Sequence, residues 1–130
     1  MKMVVVDDEK DVQILFQQKF RKELRAGNIE MHFAFSAQDA LQYVESLENP
    51  EGYLVLSDIN MPGMNGIELL KELKQKFPKL KVFMITAYGD ENNYSSAMQY
   101  GADDYFTKPI AFEQLKDKLT NAAPNNGRMH

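Results

Sequence analysis

The sequence predicts a single α/β domain in which five β-strands alternate with five α-helices to form a doubly wound parallel sheet. Three observations support this fold class. The chain has 130 residues, a length that suits one domain with one core. Short apolar runs of strand length alternate with segments whose apolar residues recur at helical spacing. The connections are short, and strict alternation of this kind is typical of parallel sheets with helices on both faces.

The first three predicted elements are a buried strand, an amphipathic helix and an edge strand. Met3–Val6 is a continuous apolar run, as expected for a strand covered on both faces. A helix follows from Asp11, and Gly27 marks its end. Its apolar stripe comprises Val12, Leu15, Phe16, Phe20 and Leu24. Ile29–Phe35 alternates in polarity, which predicts a half-exposed edge strand with His32 facing solvent.

The middle of the chain continues with a helix, a buried strand and a second helix. Ser36 is a suitable N-cap for the first of these helices. Tyr53–Ser57 is the third predicted strand, and Pro78 ends the helix that follows it. The apolar stripes of the two helices comprise Ala40, Leu41, Val44 and Leu47 in the first and Ile67, Leu70, Leu73 and Phe77 in the second.

The last third of the chain completes the alternation with two strands and two helices. Lys81–Thr86 is again an apolar strand. Asp90 can cap a fourth helix that runs to about Tyr100 and is unusually polar, with the sequence ENNYSSAMQY. Asp104–Thr107 is a short fifth strand. The last helix is lined by Phe112, Leu115 and Leu119.

The composition fits a soluble domain and excludes several classes of function. Apolar residues make up 44% of the chain and charged residues 26%, which is ordinary for globular proteins. The net charge of −4 argues against direct binding of nucleic acid. The absence of cysteine excludes disulfides, thiolate zinc sites and cysteine nucleophiles. The N-terminal apolar run is too short for a signal peptide or a membrane span, so we expect a cytoplasmic protein without membrane attachment.

Polar, charged or turn-forming residues occupy the ends of four predicted strands. They are Asp7 and Asp8 after the first strand, Asp58 after the third, Thr86 and Ala87 at the end of the fourth, and Lys108 and Pro109 after the fifth. In a doubly wound sheet these strand ends meet at one rim, where ligands bind. Two carboxylates about 4 Å apart repel by roughly 4 kcal/mol at an effective dielectric constant near 20, so three would cluster only around a cation. Oxygen ligands suit Mg²⁺, which commonly faces a phosphoryl group.

Asp58 is the best candidate for a nucleophile at this rim. The chain has no cysteine, and His32 lies in mid-strand away from this rim, so the plausible nucleophile is a carboxylate. A carboxylate of aspartate can form an aspartyl phosphate. Asp58 is alone at its strand end, whereas the two aspartates after the first strand are suited to hold a metal. Lys108 can place positive charge near phosphoryl oxygens, and Thr86 can donate a hydrogen bond. Each of these residues, considered alone, also fits a role as a helix cap, a turn former or a surface residue. Their joint placement at four strand ends favours a phosphoryl-binding metal site.

Four motifs connect this pattern to a known family. They are VVVDDE at the first strand, SDINMPGMNG around Asp58, MITAYG at the fourth strand and GADDYFTKP at the fifth. Together they resemble the response-regulator receiver domain, the phosphoacceptor module of two-component signalling, from Met3 to about Ala122. The resemblance implies a flavodoxin-like, CheY-like fold with strand order 2-1-3-4-5. It assigns residues 1–123 to the receiver domain, leaving 124–130 as a flexible tail, a linker to an output domain or a remnant of cloning.

The resemblance implies a phosphoryl acceptor and a metal site. Asp58 would accept a phosphoryl group from a phosphohistidine on a sensor histidine kinase or a phosphotransfer protein. Mg²⁺, with Mn²⁺ able to substitute, would be bound by Asp8, Asp58 and the backbone carbonyl of Asn60. Asp7 would assist through a water molecule.

The resemblance also implies a switch that responds to phosphorylation. Lys108, joined to Pro109 by an expected cis peptide bond, would contact the phosphoryl group, and Ala87 is the small residue that the family prefers beside it. Thr86 would turn its hydroxyl towards a phosphoryl oxygen, and Tyr105 would move into the space that it vacates. These movements would switch the face formed by the fourth helix, fifth strand and fifth helix, and so control an output domain or target protein.

Two further features concern the lifetime of the phosphoryl group and the oligomeric state. In this family the positions of Asn60 and Tyr88 tune dephosphorylation, and the large Tyr88 side chain is expected to shield the phosphorus from water. The last helix, FEQLKDKLTNAAP, lacks the arginine-rich face that DNA-binding members use for their active dimers. We therefore expect a monomer or a weak dimer.

Three other functions share parts of this pattern with a signalling phosphoacceptor. A Mg²⁺-dependent phosphatase that works through an aspartyl phosphate needs a second carboxylate two residues after the nucleophile, where this chain has Asn60. A flavodoxin-like cofactor binder needs a phosphate-binding loop after the first strand, and the sequence DDEKD would repel phosphate. The third is a pseudo-receiver, a protein-interaction module that no longer takes phosphate. The expected protein is therefore not an enzyme acting on a separate substrate.

Overall fold

A parallel five-stranded sheet forms the centre of the computed structural model, which describes residues 1–87 and 91–122. Its strands are β1 (Lys2–Val6), β2 (Glu30–Ala34), β3 (Tyr53–Asp58), β4 (Lys81–Thr86) and β5 (Asp104–Thr107). Every neighbouring pair is parallel, in the order β2-β1-β3-β4-β5. The predicted fold class and strand order are confirmed, and β2 lies at an edge of the sheet as its alternating sequence predicts.

Helices cover both faces of this sheet. Within the described ranges they are α1 (Lys10–Lys19), α2 (Arg21–Arg25), α3 (Ala37–Glu45), α4 (Gly66–Lys76), α5 (Glu91–Gln99) and α6 (Phe112–Ala122), with a short 3₁₀ turn at Pro50–Gly52. Ser36 caps α3 as predicted, because its hydroxyl accepts a hydrogen bond from the Asp39 N–H at 3.0 Å. The predicted cap Asp90 lies outside the described residues. None of the described helices combines the length and apolarity needed to cross a membrane.

The prediction of one continuous first helix is wrong, because the helix is interrupted at Phe20. The backbone there departs from helical geometry (φ −108°, ψ 21°). The break accompanies aromatic packing: Phe20 stacks on Phe16 at 5.9 Å between ring centroids, and both rings meet Phe112 of α6 edge-on. Leu15, predicted to lie on the buried stripe, is 39% exposed, because Phe16 occupies the position against the sheet.

The strands alternate their side chains between two apolar cores. One core packs β1, β3 and β4 against α3, α4 and α5, and the other packs the opposite face of these strands against α1, α2 and α6. Val4 and Val55 point into the first core, whereas Met3 and Leu54 point into the second. Complete burial of a side chain of this size contributes about 1.5–3 kcal/mol. Burial on both faces explains why these strands are continuous apolar runs in the sequence.

The strand register brings the predicted site residues to one rim. Val6 of β1 pairs with Ser57 of β3, so the aspartates that follow them, Asp7 and Asp58, lie at the same level. Thr86 of β4 pairs with Thr107 of β5, which places Lys108 just beyond that pair. All of these positions are at the carboxyl ends of the strands, where ligands bind to sheets of this type.

Candidate functional site

Three carboxylates form an acidic cluster at this rim. Asp7, Asp8 and Asp58 each offer an oxygen within 4.8 Å of the others. Asp7 and Asp58 are 6% and 4% exposed, whereas Asp8 is exposed to solvent. One oxygen of Asp7 accepts a hydrogen bond from the N–H of Glu9 at 2.9 Å, which fixes the carboxylate in the loop after β1. Two buried carboxylates and one exposed carboxylate are a donor set that fits a hard cation such as Mg²⁺.

Lys108 supplies positive charge beside this cluster. Its Nζ lies 3.4 Å from Asp7 Oδ2, 3.5 Å from Asp58 Oδ2 and 3.9 Å from Glu9 Oε1. Its backbone N–H donates to the Thr86 carbonyl at 2.8 Å, which ties the end of β5 to the end of β4. The Lys108–Pro109 peptide bond is cis.

Burial and neighbouring charges shift the pKa values of both Asp58 and Lys108. Burial raises the pKa of Asp58, and repulsion from Asp7 adds to that effect. The Lys108 ammonium and the N–H of Ile59 oppose the rise without cancelling it. Burial acts to lower the pKa of Lys108, but attraction to Asp58 and Asp7 outweighs it, so that pKa is raised. The lysine therefore stays charged, while the ionised cluster favours additional positive charge.

Thr86 and Tyr105 link the rim to α5. Thr86 is fully buried, and its Oγ1 accepts a hydrogen bond from Asn93 Nδ2 of α5 at 3.3 Å. Tyr105 is half-buried, and its ring packs edge-on against Tyr94 of α5 with centroids 4.9 Å apart. Both predicted switch residues thus contact the first turns of one helix. No role for Asn93 was predicted from the sequence, where the available signal was the polarity of the fourth predicted helix.

The remaining predicted residues lie around the same rim or outside the described part of the chain. Asn60 is exposed, two residues after Asp58, and Ala87 is exposed next to Thr86. Tyr88 and the proposed tail at 124–130 lie outside the described residues. His32 faces solvent, as predicted, and its ring stacks on Tyr43.

The sequence and fold match known receiver domains over nearly the whole chain. The family model described as response regulator receiver domain matches residues 3–120. Sporulation initiation phosphotransferase F of Bacillus subtilis (strain 168) is 31% identical over 123 residues, which cover 95% of this chain and 94% of that protein. A receiver domain from Clostridium thermocellum superposes with a TM-score of 0.82 at 29% identity, covering 94% of this chain and 93% of its own. The receiver domain of NtrX from Brucella abortus gives a TM-score of 0.79 at 32% identity, covering 95% and 99%.

Proposed function

The chain belongs to the response regulator receiver domain family of two-component signalling, and on this premise we propose that Asp58 accepts a phosphoryl group from a phosphohistidine. The donor would be a sensor histidine kinase or a phosphotransfer protein. The observation that carries the proposal is the placement of Asp58, which is buried at the carboxyl rim of the sheet beside Asp7 and the Lys108 ammonium. A carboxylate in this position has two neighbouring aspartates that could bind a metal ion. It also has a lysine whose charge could stabilise the incoming phosphoryl oxygens.

In the proposed transfer, one oxygen of Asp58 forms a bond to phosphorus while the bond between phosphorus and the donor imidazole nitrogen breaks. The imidazole leaves as the neutral ring after taking up a proton, and Asp58 becomes an acyl phosphate. Lys108, 3.5 Å from the Asp58 carboxylate, is within reach of the phosphoryl oxygens and would compensate part of their charge. Because Thr86 is buried beside this position, its hydroxyl is suited to donate to a phosphoryl oxygen.

The acidic cluster fits a magnesium ion, since its oxygens lie within 4.8 Å of one another and the raised pKa of Asp58 indicates that its ionised form favours a further cation. We assign the ligands to Asp7, Asp8, Asp58 and the backbone carbonyl of Asn60, with Asp7 acting through water and Mn²⁺ able to substitute. Bound there, the ion would neutralise charge on the carboxylates and on the phosphoryl group.

Phosphorylation would switch the face formed by α5, β5 and α6. The modification adds about −1.5 to −2 charge units to the rim. If Thr86 turns towards the phosphoryl group, its 3.3 Å hydrogen bond from Asn93 is lost, and α5 is released on that side. Tyr105 would move inward behind Thr86 and away from Tyr94. The domain would thus be a two-state element biased by a covalent group, acting on an output domain or target protein.

A phosphoacceptor fits the rim better than the alternatives. A phosphatase would require an acid–base carboxylate where Asn60 stands. A pseudo-receiver would not require an acidic pair, a lysine and a buried threonine together at one rim. We therefore propose a signalling phosphoacceptor that catalyses only its own phosphorylation and dephosphorylation, and that is a monomer or a weak dimer.

The proposal is tested by measuring the mass of the intact protein after incubation with acetyl phosphate. Wild-type protein is expected to gain one phosphoryl group in the presence of Mg²⁺ and none in EDTA, and Asp58→Asn is expected to gain none in either. A folded wild-type protein that gains nothing from acetyl phosphate or from a phosphorylated histidine kinase would favour the pseudo-receiver.

A further inference from the structure

Gly66, the first residue of α4, lies directly against the backbone of Asp58. A Cβ at position 66 would lie 2.2 Å from the Asp58 carbonyl oxygen, 2.7 Å from Ile59 Cα and 3.0 Å from the Asp58 carbonyl carbon. All three atoms belong to the backbone, so no side-chain rotation can relieve the contact. The φ angle of Gly66 is not positive, unlike those of Gly27, Gly63 and Gly101, so its backbone conformation is open to other residues. The position requires glycine because of the close approach alone.

The peptide unit between Asp58 and Ile59 is held at both of its polar groups. The Ile59 N–H donates to the Ile85 carbonyl of β4 at 3.0 Å. The Asp58 carbonyl accepts a hydrogen bond from the hydroxyl of Ser57, a fully buried side chain, at 2.9 Å. The Gly66 N–H donates to the next carbonyl, that of Ile59, at 2.9 Å. This peptide unit is therefore fixed by β4 on one side and by Ser57 and Gly66 on the other.

Helix α4 cannot readily move away to make room for a side chain at position 66. Asn65 and Glu68 form a capping box, with both hydrogen bonds at 2.9 Å. Further along the helix, Leu69 and Leu70 are completely buried in the core below the sheet rim. Displacement of the helix would disturb close-packed side chains, so a Cβ would displace the Asp58 peptide instead.

We propose that Gly66 and Ser57 are positioning residues for phosphoryl transfer, because they fix the peptide unit from which the Asp58 carboxylate is presented to Asp7 and Lys108. This inference rests on the proposed function of Asp58 as the acceptor. Gly66 lies against the Asp58 backbone and the Ser57 hydroxyl donates to the Asp58 carbonyl, so both residues act through that backbone. A displacement of about 1 Å in a reacting group can cost on the order of 100-fold in rate. Gly66→Ala is therefore expected to slow phosphorylation by about 10- to 100-fold.

The test compares Gly66→Ala and Ser57→Ala with a matched control, Gly52→Ala. A Cβ at Gly52 would meet only the side chain of Asn49, at 3.1 Å from its Nδ2, and that side chain can rotate. Each variant is measured for its initial rate of phosphorylation by acetyl phosphate at saturating Mg²⁺ and for its urea midpoint of unfolding. The ¹⁹F NMR spectrum with beryllofluoride, a phosphoryl analogue, gives an independent signature of the geometry at the Asp58 carboxylate.

The expected result separates positioning from stability. Gly66→Ala should lose about 10- to 100-fold in rate and shift the bound ¹⁹F resonances, while Gly52→Ala changes neither. Ser57→Ala, which removes one hydrogen bond without adding bulk, should slow the reaction less, by about 3- to 10-fold, on the scale of one modest hydrogen bond. A folded Gly66→Ala protein with the rate and resonances of wild type would overturn the inference. If Gly66→Ala does not fold, unchanged rate and resonances in Ser57→Ala would overturn it.

The two proposals fail in different ways. Wild-type protein that is not phosphorylated would contradict the proposed function, whatever the variants do. Wild-type protein that is phosphorylated at Asp58, together with variants that react equally fast, would contradict only the positioning roles of Gly66 and Ser57.

Discussion

Replacing Asp58 with asparagine should make the protein more stable when no metal is present. Asparagine has nearly the same shape as aspartate but carries no charge. In the folded protein the Asp58 carboxylate is buried and lies within 4.8 Å of two other carboxylates. The same burial and the repulsion from Asp7 raise its pKa. Each observation indicates that the charge on Asp58 destabilises the folded state.

The size of the effect follows from opposing terms. At an effective dielectric constant near 20, the repulsion between Asp58 and Asp7, whose oxygens are at most 4.8 Å apart, is at least about 3.5 kcal/mol, and the attraction between Asp58 and Lys108 at 3.5 Å is about 4.7 kcal/mol. These terms partly cancel, and the burial of the charge, which is the largest cause of the raised pKa of Asp58, shifts the balance against ionisation. We expect Asp58→Asn to increase the free energy of unfolding by about 1 kcal/mol and to raise the melting temperature by about 3 to 5 °C.

The dependence on pH provides a second check. Because the pKa of Asp58 is raised on folding, the folded state binds more protons than the unfolded state between the two pKa values. The stability of the wild type should therefore fall, relative to the variant, as pH rises through that window from the unfolded value near 3.8, and the difference should become constant above it. Below both pKa values the two proteins should differ least.

The assay is thermal unfolding in EDTA from pH 3 to pH 8, repeated at neutral pH with Mg²⁺. Asp117→Asn, at an exposed position on α6, provides a control with the same change in net charge. Mg²⁺ should stabilise the wild type more than Asp58→Asn, since the variant loses a ligand. An Asp58→Asn protein that is no more stable than wild type in EDTA at pH 7 would refute the electrostatic argument.

Three further predictions concern other residues. Lys108→Met leaves the buried Asp7 and Asp58 without their cation, so it should lower the free energy of unfolding in EDTA by about 1–3 kcal/mol. The same variant should be phosphorylated at least tenfold more slowly. A variant with wild-type stability and a wild-type phosphorylation rate would contradict the role of Lys108 as the cation of the site. The Lys74 side chain is 17% exposed and makes 2.7 Å contacts with the Leu80 carbonyl and Asp103, so Lys74→Met should lower the free energy of unfolding in urea by about 1–2 kcal/mol. Lys76 is in an exposed ion pair, so Lys76→Met should change this free energy little. Equal losses in the two variants would contradict a special role for the less exposed Lys74 contacts. Tyr88→Ala should lose its phosphoryl group faster than wild type in a time course of intact mass, and equal or slower loss would rule out shielding by Tyr88.

The fold and the rim residues were predictable because they depend on local patterns. Strands covered on both faces require continuous apolar runs, and Met3–Val6 and Val82–Ile85 show this pattern directly. Once the strands are placed, parallel pairing brings Asp7, Asp58 and Lys108 to one edge of the sheet. This placement depends on the backbone pairing and not on how the side chains pack. The break at Phe20 was not predictable, because it accompanies packing against a helix far along the chain.

The finer geometry of the site depends on contacts that no local pattern encodes. Asp7 and Asp8 are adjacent in sequence and chemically identical, yet only Asp7 is buried, because its backbone continues the pairing of β1 with Ala34 of β2. The approach of Gly66 to Asp58 is a tertiary backbone contact. Its one signal in the sequence was a glycine that opens a helix, a residue that is a poor helix former.

The role of Asp58 is tested most directly by locating the acceptor residue. The protein is incubated with acetyl phosphate and Mg²⁺, the acyl phosphate is reduced with borohydride, and the resulting homoserine is located by peptide sequencing in a mass spectrometer. We expect homoserine at position 58 and unmodified aspartates at positions 7 and 8. Homoserine at Asp7 or Asp8 with an intact Asp58 would contradict the central claim.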